Sequence, residues 1–283
     1  MRSIKMKSKD LILFVVGLLL HASCGDPNQQ TEDTSGMKVE DYVESPQTIT
    51  YKITATLPHD SSAFTQGLEY YQGMLYESTG LRGQTSLRII DPATGDVIQK
   101  NNGYREDDFG EGLTILNDKL YQLTLDNQVI YRFDPANIHQ VEHSFPWPRQ
   151  GWGVCNDGNN LFISDGSSKL YVINPENMDV IRTIQVRDQR GLLDQLNELE
   201  YIEGFIFANR WHDDNIYKID PATGHVVGVL HFAGVLKQYA PHFKPGSEDV
   251  LNGIAWDDES GRLFLTGKDW PLVFQVELQT KNN

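Results

Sequence analysis

Five copies of one hairpin pattern, spread over most of the chain, constrain the fold more than any other feature of this sequence. The copies read TQGLEYYQGMLYEST, GEGLTILNDKLYQLT, GWGVCNDGNNLFISD, LNELEYIEGFIFANR and LNGIAWDDESGRLFLTG. Each places turn residues between two β-rich runs, which predicts a two-stranded hairpin. In the first four copies the second letter lies nine residues before an apolar pair, and the fifth hairpin is two residues longer.

A second motif follows each of the first four hairpins. DPATG occurs at 91–95 and again at 220–224, with DPA at 134–136 and NPE at 174–176 between them. Each motif lies between a short alternating strand and another β-rich run. The spacings of 43, 40 and 46 residues match a four-stranded propeller blade. We therefore predict an all-β fold, a five-bladed β-propeller.

The last blade lacks residues for a full set of strands, because little sequence follows Leu278. The alternating segment TITYKITATLP, residues 48–58, has the composition of a strand. We predict that this N-terminal strand is the outer strand of the fifth blade and closes the ring. The propeller domain is then expected to span residues 48–283.

The first 47 residues are predicted to lie outside the propeller. A basic start, MRSIKMKSK, precedes the apolar run LILFVVGLLL at 11–20, which predicts a signal peptide over residues 1–23. Cys24 follows small residues as in a bacterial lipobox, although His21 stands where an aliphatic residue is usual. We expect lipidation at Cys24, with ordinary cleavage nearby as the alternative. Residues 24–47 are polar and acidic, which predicts a disordered tether.

These features favour an exported protein, periplasmic or on the cell surface, held at a membrane only through the lipid. The formal net charge of −15 argues against nucleic acid as a partner.

If Cys24 is acylated, Cys155 is left alone and no disulfide can form within the chain. Cys155 is then either a packed core residue, the more common case, or a nucleophile.

Motifs for other chemistries are missing from the sequence. The eight histidines show no HExxH or other closely paired ligand spacing, so we predict no metal and no cofactor. Neither a G-x-S-x-G elbow nor a phosphate-binding loop occurs.

The repeat also aligns one position across the blades, the second letter of each hairpin. The residues there are Gln66, Glu111, Trp152, Asn197 and Asn252. Equivalent positions of successive blades form a ring about the propeller axis, so these side chains are expected to converge at one end of the channel. Such a ring is either a ligand site or a structural feature that satisfies backbone groups and channel water.

Aromatic residues are expected at the same end of the channel. Phe64 and Phe109 lie two residues before Gln66 and Glu111. The second hairpin strands of the last two copies run into Trp211 and into Lys268, which Trp270 follows. An aromatic pocket with one carboxylate, one ammonium group and several amides is typical of a small-ligand site. For any single tryptophan, packing between blades is the alternative.

Taken in order, FTQGL, FGEGL, GWG, NELEY, ANRW, LNGIAWD and TGKxWP resemble the plant and bacterial glutaminyl-peptide cyclotransferases over roughly residues 50–278. The resemblance implies a five-bladed propeller that converts the N-terminal glutamine of peptides and proteins to pyroglutamate and releases ammonia, without a cofactor. It implies that Glu111 is the catalytic acid/base. The family's pocket residues fall on Phe64, Gln66, Phe109, Trp152, Asn197, Trp211 and Lys268.

The chemistry of these residues fits that reaction. A carboxylate at Glu111 can take a proton from the substrate amine and return it to the departing ammonia. Lys268 and Asn197 are expected to stabilise the developing oxyanion, so we count them with Glu111 as catalytic. The aromatic residues and Gln66 are expected to bind and orient the substrate. We expect a monomer.

Two other functions remain open from sequence. One is a metal-dependent propeller lactonase or hydrolase, whose site usually needs several carboxylates at the channel mouth. The other is a non-catalytic propeller that binds a protein partner.

Overall fold

The computed structural model describes residues 43–279, and nearly all of their regular structure is β-strand. The predicted signal peptide, Cys24 and residues 24–42 of the predicted tether lie outside the described residues. The first two strands are β1 (Gln47–Thr48) and β2 (Thr50–Pro58). No helix in this part of the chain is long and apolar enough to cross a membrane.

Five antiparallel sheets follow one another along the chain and form blades 1 to 5. Blade 1 contains β3 (Thr65–Tyr71), β4 (Met74–Thr79), β5 (Ser86–Ile90) and β6 (Val97–Asn101). Blade 2 contains β7 (Gly110–Leu116), β8 (Lys119–Thr124), β9 (Val129–Asp134) and β10 (Asn137–Pro146). Blade 3 contains β11 (Val154–Asn156), β12 (Leu161–Ser164), β13 (Lys169–Ile173) and β14 (Val180–Gln185).

A small hairpin, β15 (Arg187–Asp188) and β16 (Gly191–Leu192), leads from blade 3 to blade 4. Blade 4 contains β17 (Leu196–Ile202), β18 (Phe205–Arg210), β19 (Asn215–Ile219) and β20 (Val226–His231). The connection to blade 5 carries the short helix α1 (Val235–Tyr239). Blade 5 contains β21 (Leu251–Asp257), β22 (Arg262–Gly267) and β23 (Leu272–Gln279), with β2 as its fourth strand.

The first strands of the blades, β3, β7, β11, β17 and β21, contact one another in a closed circle around the axis. The prediction of a five-bladed propeller is therefore confirmed. The predicted closure is confirmed too, because β2 pairs antiparallel with β23, from Thr50 opposite Gln279 to Pro58 opposite Leu272. The chain also enters the propeller earlier than predicted, because Gln47, which the sequence analysis placed in the tether, already belongs to a strand. Gln47 in β1 lies opposite Gly228 of β20, in parallel, so this segment joins blades 4 and 5.

The turns of the first hairpins use residues that tolerate positive φ. Gln72 and Gly73 have φ of 48° and 85°, and Asn117 and Asp118 have 51° and 55°. Two consecutive positive φ angles define a type I′ turn, whose twist matches that of the flanking strands. The turn residues therefore fix the register that places each ring residue.

Apolar side chains fill the five spaces between adjacent blades, one cluster to each space. Near the axis the inner strands approach too closely for side chains. A Cβ on Gly112 would lie 2.7 Å from the Val154 nitrogen, and one on Gly153 would lie 2.1 Å from the Asn197 carbonyl oxygen. The glycine after the ring position in these blades is therefore required by the close contact of the inner strands.

A buried ionic network joins blade 1 to the turn that follows β22. His59 shares hydrogen bonds with the Trp270 carbonyl (2.6 Å) and with Glu77 Oε1 (2.8 Å). Thr65 Oγ1 donates to the same Glu77 oxygen at 2.7 Å, and Arg88 Nη1 lies 3.5 Å from the other oxygen. Burial raises the pKa of Glu77, but the neighbouring His59 and Arg88 charges and the hydrogen bonds outweigh it, so the pKa is lowered overall. Burial lowers the pKa of His59, but the Glu77 charge outweighs it, so that pKa is raised.

Replacing Glu77 with glutamine should lower the free energy of unfolding by about 3–5 kcal/mol, because it leaves the buried His59 without its ion-pair partner and Arg88 with Asp60 alone (3.0 Å). Since the pKa of Glu77 is lowered, its contribution is present above about pH 4.5 and is lost as the pH falls through the folded value. Since the pKa of His59 is raised, its contribution is present below about pH 6.5 and is lost as the pH rises through the folded value. Urea unfolding between pH 3 and 9 measures both limits.

The matched control is Glu142→Gln, which removes surface pairs with Lys119 (3.2 Å) and Arg132 (3.6 Å). It should change the free energy of unfolding by less than about 1 kcal/mol. Equal effects of the two variants would show that the buried network does not hold blades 1 and 5 together.

Candidate active site

Four of the five ring residues lie in β-bulges of the inner strands, and the fifth, Trp152, lies two residues before β11. In blade 1 the register between β3 and β4 shifts between Thr65 and Gly67, at Gln66. The same shift occurs around Glu111 in β7, around Asn197 in β17 and around Asn252 in β21. A bulge leaves one residue outside the ladder and turns its side chain in a new direction. In four blades, therefore, the bulge directs a polar side chain at one mouth of the channel.

A repeated backbone hydrogen bond fixes a second set of side chains just above this ring. The donor is the residue directly after the second strand, and the acceptor lies two residues before the ring position. The four bonds are Gly80 N to Phe64 O (2.8 Å), Leu125 N to Phe109 O (3.0 Å), Trp211 N to Gln195 O (2.9 Å) and Lys268 N to Val250 O (2.9 Å). Trp211 and Lys268 therefore occupy equivalent positions in blades 4 and 5.

Together these two sets surround a cavity of about 220 Å³. Its lining residues are Phe64, Gln66, Phe109, Glu111, Leu125, Trp152, Asn197, Trp211, Glu248 and Lys268. Every residue that the sequence analysis assigned to catalysis or substrate binding is in this set. Asn252 does not line the cavity but donates a hydrogen bond to Gln66, which does. Trp270 closes the turn that carries Lys268, since its backbone nitrogen donates to the Gly267 carbonyl at 3.1 Å.

Glu111 is buried and lines the cavity. Gln66 Nε2 donates to Glu111 Oε1 at 3.1 Å, and Asn252 Nδ2 donates to Gln66 Oε1 at 3.3 Å, which fixes the orientation of the Gln66 amide. Burial raises the pKa of Glu111 well above its usual value, and the charge of Lys268 offsets only part of this. The sequence could not decide between these two effects; in the structure, desolvation is the larger one.

Lys268 is the cation of the cavity. Its Nζ lies 4.7 Å from the centre of the Phe64 ring, a cation–π distance. Burial lowers the pKa of Lys268, while the charge of Glu111 raises it in part. Both side chains face the cavity, but they form no direct ion pair. The space between them is available to a ligand that interacts with both.

Aromatic rings form the walls. Phe64 and Phe109 meet edge to face, with centroids 6.3 Å apart, and Trp152 and Trp211 meet in the same way at 5.8 Å. The Phe109 ring fits because position 80 is glycine: a Cβ there would lie 2.4 Å from the ring. The walls are therefore rigid, and they suit the aliphatic part of a small ligand.

Asn197 adds a polar group with free hydrogen-bonding capacity. Its side-chain oxygen is buried and has no partner among the described residues. The Asn197 carbonyl oxygen accepts from Ser164 Oγ at 2.7 Å, which fixes the backbone. A buried amide without a protein partner is costly unless a ligand or water completes it. We infer that this amide faces a ligand.

Sequence reasoning missed two lining residues. Leu125 is the first residue after β8, and its alignment with Trp211 and Lys268 was a signal that could have revealed it. Glu248 belongs to the connection between blades 4 and 5, which has no counterpart in the repeat, so no signal existed.

Cys155 lies outside the cavity and is buried among apolar residues, where burial raises its pKa well above the usual value. These surroundings favour the packed alternative over a nucleophile.

Among residues 43–279, no three His, Cys, Asp or Glu side chains are grouped so that they could hold a metal ion.

Comparisons with known proteins agree on one family. Residues 20–278 match the family described as glutamine cyclotransferase. A glutaminyl-peptide cyclotransferase of Arabidopsis thaliana is 40% identical over 232 residues, which cover 81% of this chain and 71% of that protein. The crystal structure of Myxococcus xanthus glutaminyl cyclase superposes with a TM-score of 0.77 and 35% identity, over 83% of this chain and 99% of that one.

Trp211 and Trp147 allow the binding and packing roles of tryptophan to be separated. Trp211 lines the cavity and is half-buried, so Trp211→Ala should weaken ligand binding roughly 2–10-fold, the loss of one aromatic pair contact. Its unfolding free energy should change little. Trp147 is fully buried between blades 2 and 3, so Trp147→Ala should lower the unfolding free energy by about 3–5 kcal/mol.

The measurement is the Michaelis constant for a dipeptide that begins with glutamine, together with urea unfolding of each variant. If Trp211→Ala unfolds like Trp147→Ala and leaves the Michaelis constant of the folded fraction unchanged, Trp211 is a packing residue. Trp152→Ala is expected to behave as Trp211→Ala, because the two rings are in contact.

Proposed function

This chain belongs to the glutamine cyclotransferase family, and we propose that it cyclises the N-terminal glutamine of peptides and proteins with Glu111 as its general acid and base. The products are a pyroglutamyl peptide and ammonia. The observation that carries the assignment is the environment of Glu111. Its carboxyl group is buried in an aromatic cavity, has a raised pKa and accepts a hydrogen bond from Gln66.

The reaction needs one proton to be moved twice. The α-amine attacks the carboxamide carbon of its own side chain, and it must be neutral to do so. Glu111 accepts a proton from the amine as the new C–N bond forms. It then donates this proton to the carboxamide nitrogen, so that the old C–N bond breaks and ammonia leaves. A carboxyl group whose pKa is raised by burial suits both steps, because it is a stronger base than an exposed carboxylate and remains an acid.

Negative charge develops on the carboxamide oxygen during the attack. Lys268 and Asn197 line the same cavity and supply N–H donors for this oxygen. The ammonium group of Lys268 is held over the Phe64 ring, so its position is set before the substrate arrives. The charge that it stabilises is absent from the free substrate, so the interaction favours the transition state.

The cavity walls bring the two ends of the glutamine together. An unbound glutamine side chain has several rotatable bonds, and few of its conformers place the amine beside the carboxamide carbon. The Phe64–Phe109 and Trp152–Trp211 pairs confine the side chain between rigid faces. Holding the reacting atoms in this geometry lowers the entropic part of the barrier.

Glu111→Gln tests the assignment. The substitution keeps the shape of the side chain and removes the proton acceptor, so turnover of a glutamine-initiated dipeptide should fall by about 10²–10⁴-fold. Released ammonia measures turnover, and a melting curve checks the fold. Glu111→Asp keeps the carboxylate but withdraws it by one methylene group, and should still lose about 10²-fold. Because Glu111 must be ionised to act as base, wild-type turnover should rise with pH through its raised pKa.

Glu200→Gln is the matched control. Glu200 is also buried, with a pKa that burial raises, but it lines a different cavity. Its replacement should leave the turnover of folded protein unchanged. Wild-type turnover in Glu111→Gln, with the fold intact, would reduce Glu111 to a structural member of the ring. A metal-dependent hydrolase would instead lose activity after exhaustive chelation, whereas the proposed mechanism keeps it.

We further propose that the protein is exported and anchored by acylation of Cys24. The support is the sequence alone, since Cys24 lies outside the described residues: the basic start, the apolar run at 11–20 and the cysteine after small residues. Cys24→Ser should move the protein from the membrane fraction to the soluble fraction, because the acyl chains provide the anchor. Unchanged partitioning would exclude lipidation at this residue.

A further inference from the structure

A second cavity lies directly behind one wall of the active site. Its volume is about 450 Å³, and it is built largely from residues 232–250, the longest connection between blades. The turn after β18 and the turn after β22 complete it through Asp214 and Trp270. Neither the sequence analysis nor the proposed mechanism assigns this cavity a role.

The two cavities share three stretches of chain. In each stretch, one residue lines the active site and a nearby residue lines the second cavity. The residues on the active-site side are Trp211, Glu248 and Lys268. Those on the side of the second cavity are Asp214, Asp249 and Trp270. Trp270 Nε1 donates to the Asp249 carbonyl at 2.8 Å, which ties two of these stretches together. The second cavity therefore adjoins the active site, and a wall a few residues thick separates the two.

At the top of this wall the side chains are exposed. His212 Nε2 lies 3.8 Å from Glu248 Oε2, and more than two fifths of each side chain is accessible to solvent. His212 also packs against the Trp211 ring. A peptide that leaves the active site on this side would pass over the His212–Glu248 pair and reach the second cavity.

The second cavity has an apolar floor and a basic rim. Phe232, Leu236 and Phe243 provide apolar surface. Lys237 and Lys244 are exposed at its edge, and neither forms an ion pair with any of residues 43–279. The cavity's two carboxylates, Asp214 and Asp249, belong to stretches that also line the active site, whereas Lys237 lies on α1 and Lys244 on the segment after it. The lysines therefore complement an acidic group on the part of a ligand that lies over α1.

We propose that this cavity, which we call the downstream groove, binds the substrate residues that follow the N-terminal glutamine. The inference rests on the proposed function. An apolar second or third residue packs against Leu236 and Phe243, and an acidic residue beyond it interacts with Lys237 and Lys244. Three extended residues span at most about 11 Å, so a short peptide that is anchored in the active site can cover the wall and enter the groove. The active site recognises the glutamine, and the downstream groove selects among glutamine-initiated chains.

A peptide series tests the basic rim. The substrates are Gln-Gly, Gln-Leu-Glu-Glu and Gln-Leu-Lys-Lys, with ammonia release as the readout of kcat/KM. Wild-type protein should prefer the acidic tetrapeptide over the basic one by about tenfold, and the preference should weaken at high salt. In Lys237→Glu/Lys244→Glu the order of the two tetrapeptides should reverse, while kcat/KM for Gln-Gly stays at the wild-type value.

Lys100→Glu/Lys169→Glu is the charge-matched control. Lys100 is exposed on β6 and Lys169 on β13, and neither residue lines either cavity. This variant should keep the wild-type order of substrates. If it changes the order as much as Lys237→Glu/Lys244→Glu does, the preference comes from net charge and the downstream groove is excluded.

Leu236→Ser tests the apolar floor. It should lower kcat/KM for Gln-Leu-Gly-Gly but not for Gln-Gly-Gly-Gly, and the second peptide also reports whether the variant is folded and active. Equal activity on both peptides in wild type and variant would overturn the apolar part of the proposal.

If wild-type protein releases no ammonia from Gln-Gly, the proposed function fails and this inference fails with it. If Gln-Gly is a substrate but the longer peptides show no preference, only the downstream groove is excluded.

Discussion

The site depends on one departure from regular β-structure, the bulge at the ring position of the inner strands. In an unbroken ladder, alternate residues of an inner strand point into the neighbouring blades, where apolar clusters fill the space. In four of the five blades the bulge releases one residue from this alternation and turns it towards the axis. In the first two blades, the glycine after the bulge lets the next inner strand approach to backbone contact. Gln66 and Glu111 are thereby brought within hydrogen-bonding distance although they belong to different sheets.

Desolvation in this cavity changes the acid–base properties of its two ionisable side chains, Glu111 and Lys268. The cavity is small and its walls are aromatic, so neither Glu111 nor Lys268 is well solvated, and burial shifts the pKa of each towards the neutral form. Such groups destabilise the fold in isolation. The structure offsets this with polar contacts elsewhere. The His59–Glu77 network lies between the strand that carries Gln66 and the turn that carries Lys268, and it hydrogen-bonds to Thr65 and to the Trp270 carbonyl.

The repeat predicted those parts of the molecule that every blade shares. It identified the propeller, the closing strand and the ring, because turn residues, alternation and spacing recur in each copy. It also placed Trp211 and Lys268 near the ring, because both follow the second strand of a hairpin, and the hydrogen bond from Lys268 N to Val250 O shows that this position repeats. Glu248 and the downstream groove were beyond reach, since residues 232–250 have no counterpart in other blades. The sign of the Glu111 pKa shift was also undetermined, because it depends on how much water the folded cavity admits.

Burial alone does not distinguish Glu111 from the other carboxyl groups near the axis, since burial raises the pKa of Glu198, Glu200 and Glu69 as well. Their hydrogen bonds do distinguish them. Glu198 accepts from the backbone nitrogens of Leu68 (3.2 Å) and Ile254 (2.9 Å), so both of its oxygens are used to join blades.

Glu69 and Glu200 each accept a hydrogen bond from a neighbouring blade and line another cavity. Glu111 accepts only from the side chain of Gln66, and it shares its cavity with a cation and four aromatic rings. A carboxyl group that two backbone donors hold cannot exchange a proton with a ligand without breaking those bonds. One that has a single side-chain partner and faces a cavity can do so. Glu69 and Glu200 also face a cavity, but no lysine or arginine of residues 43–279 lines it, whereas Glu111 shares its cavity with Lys268. This difference supports the acid/base role proposed for Glu111.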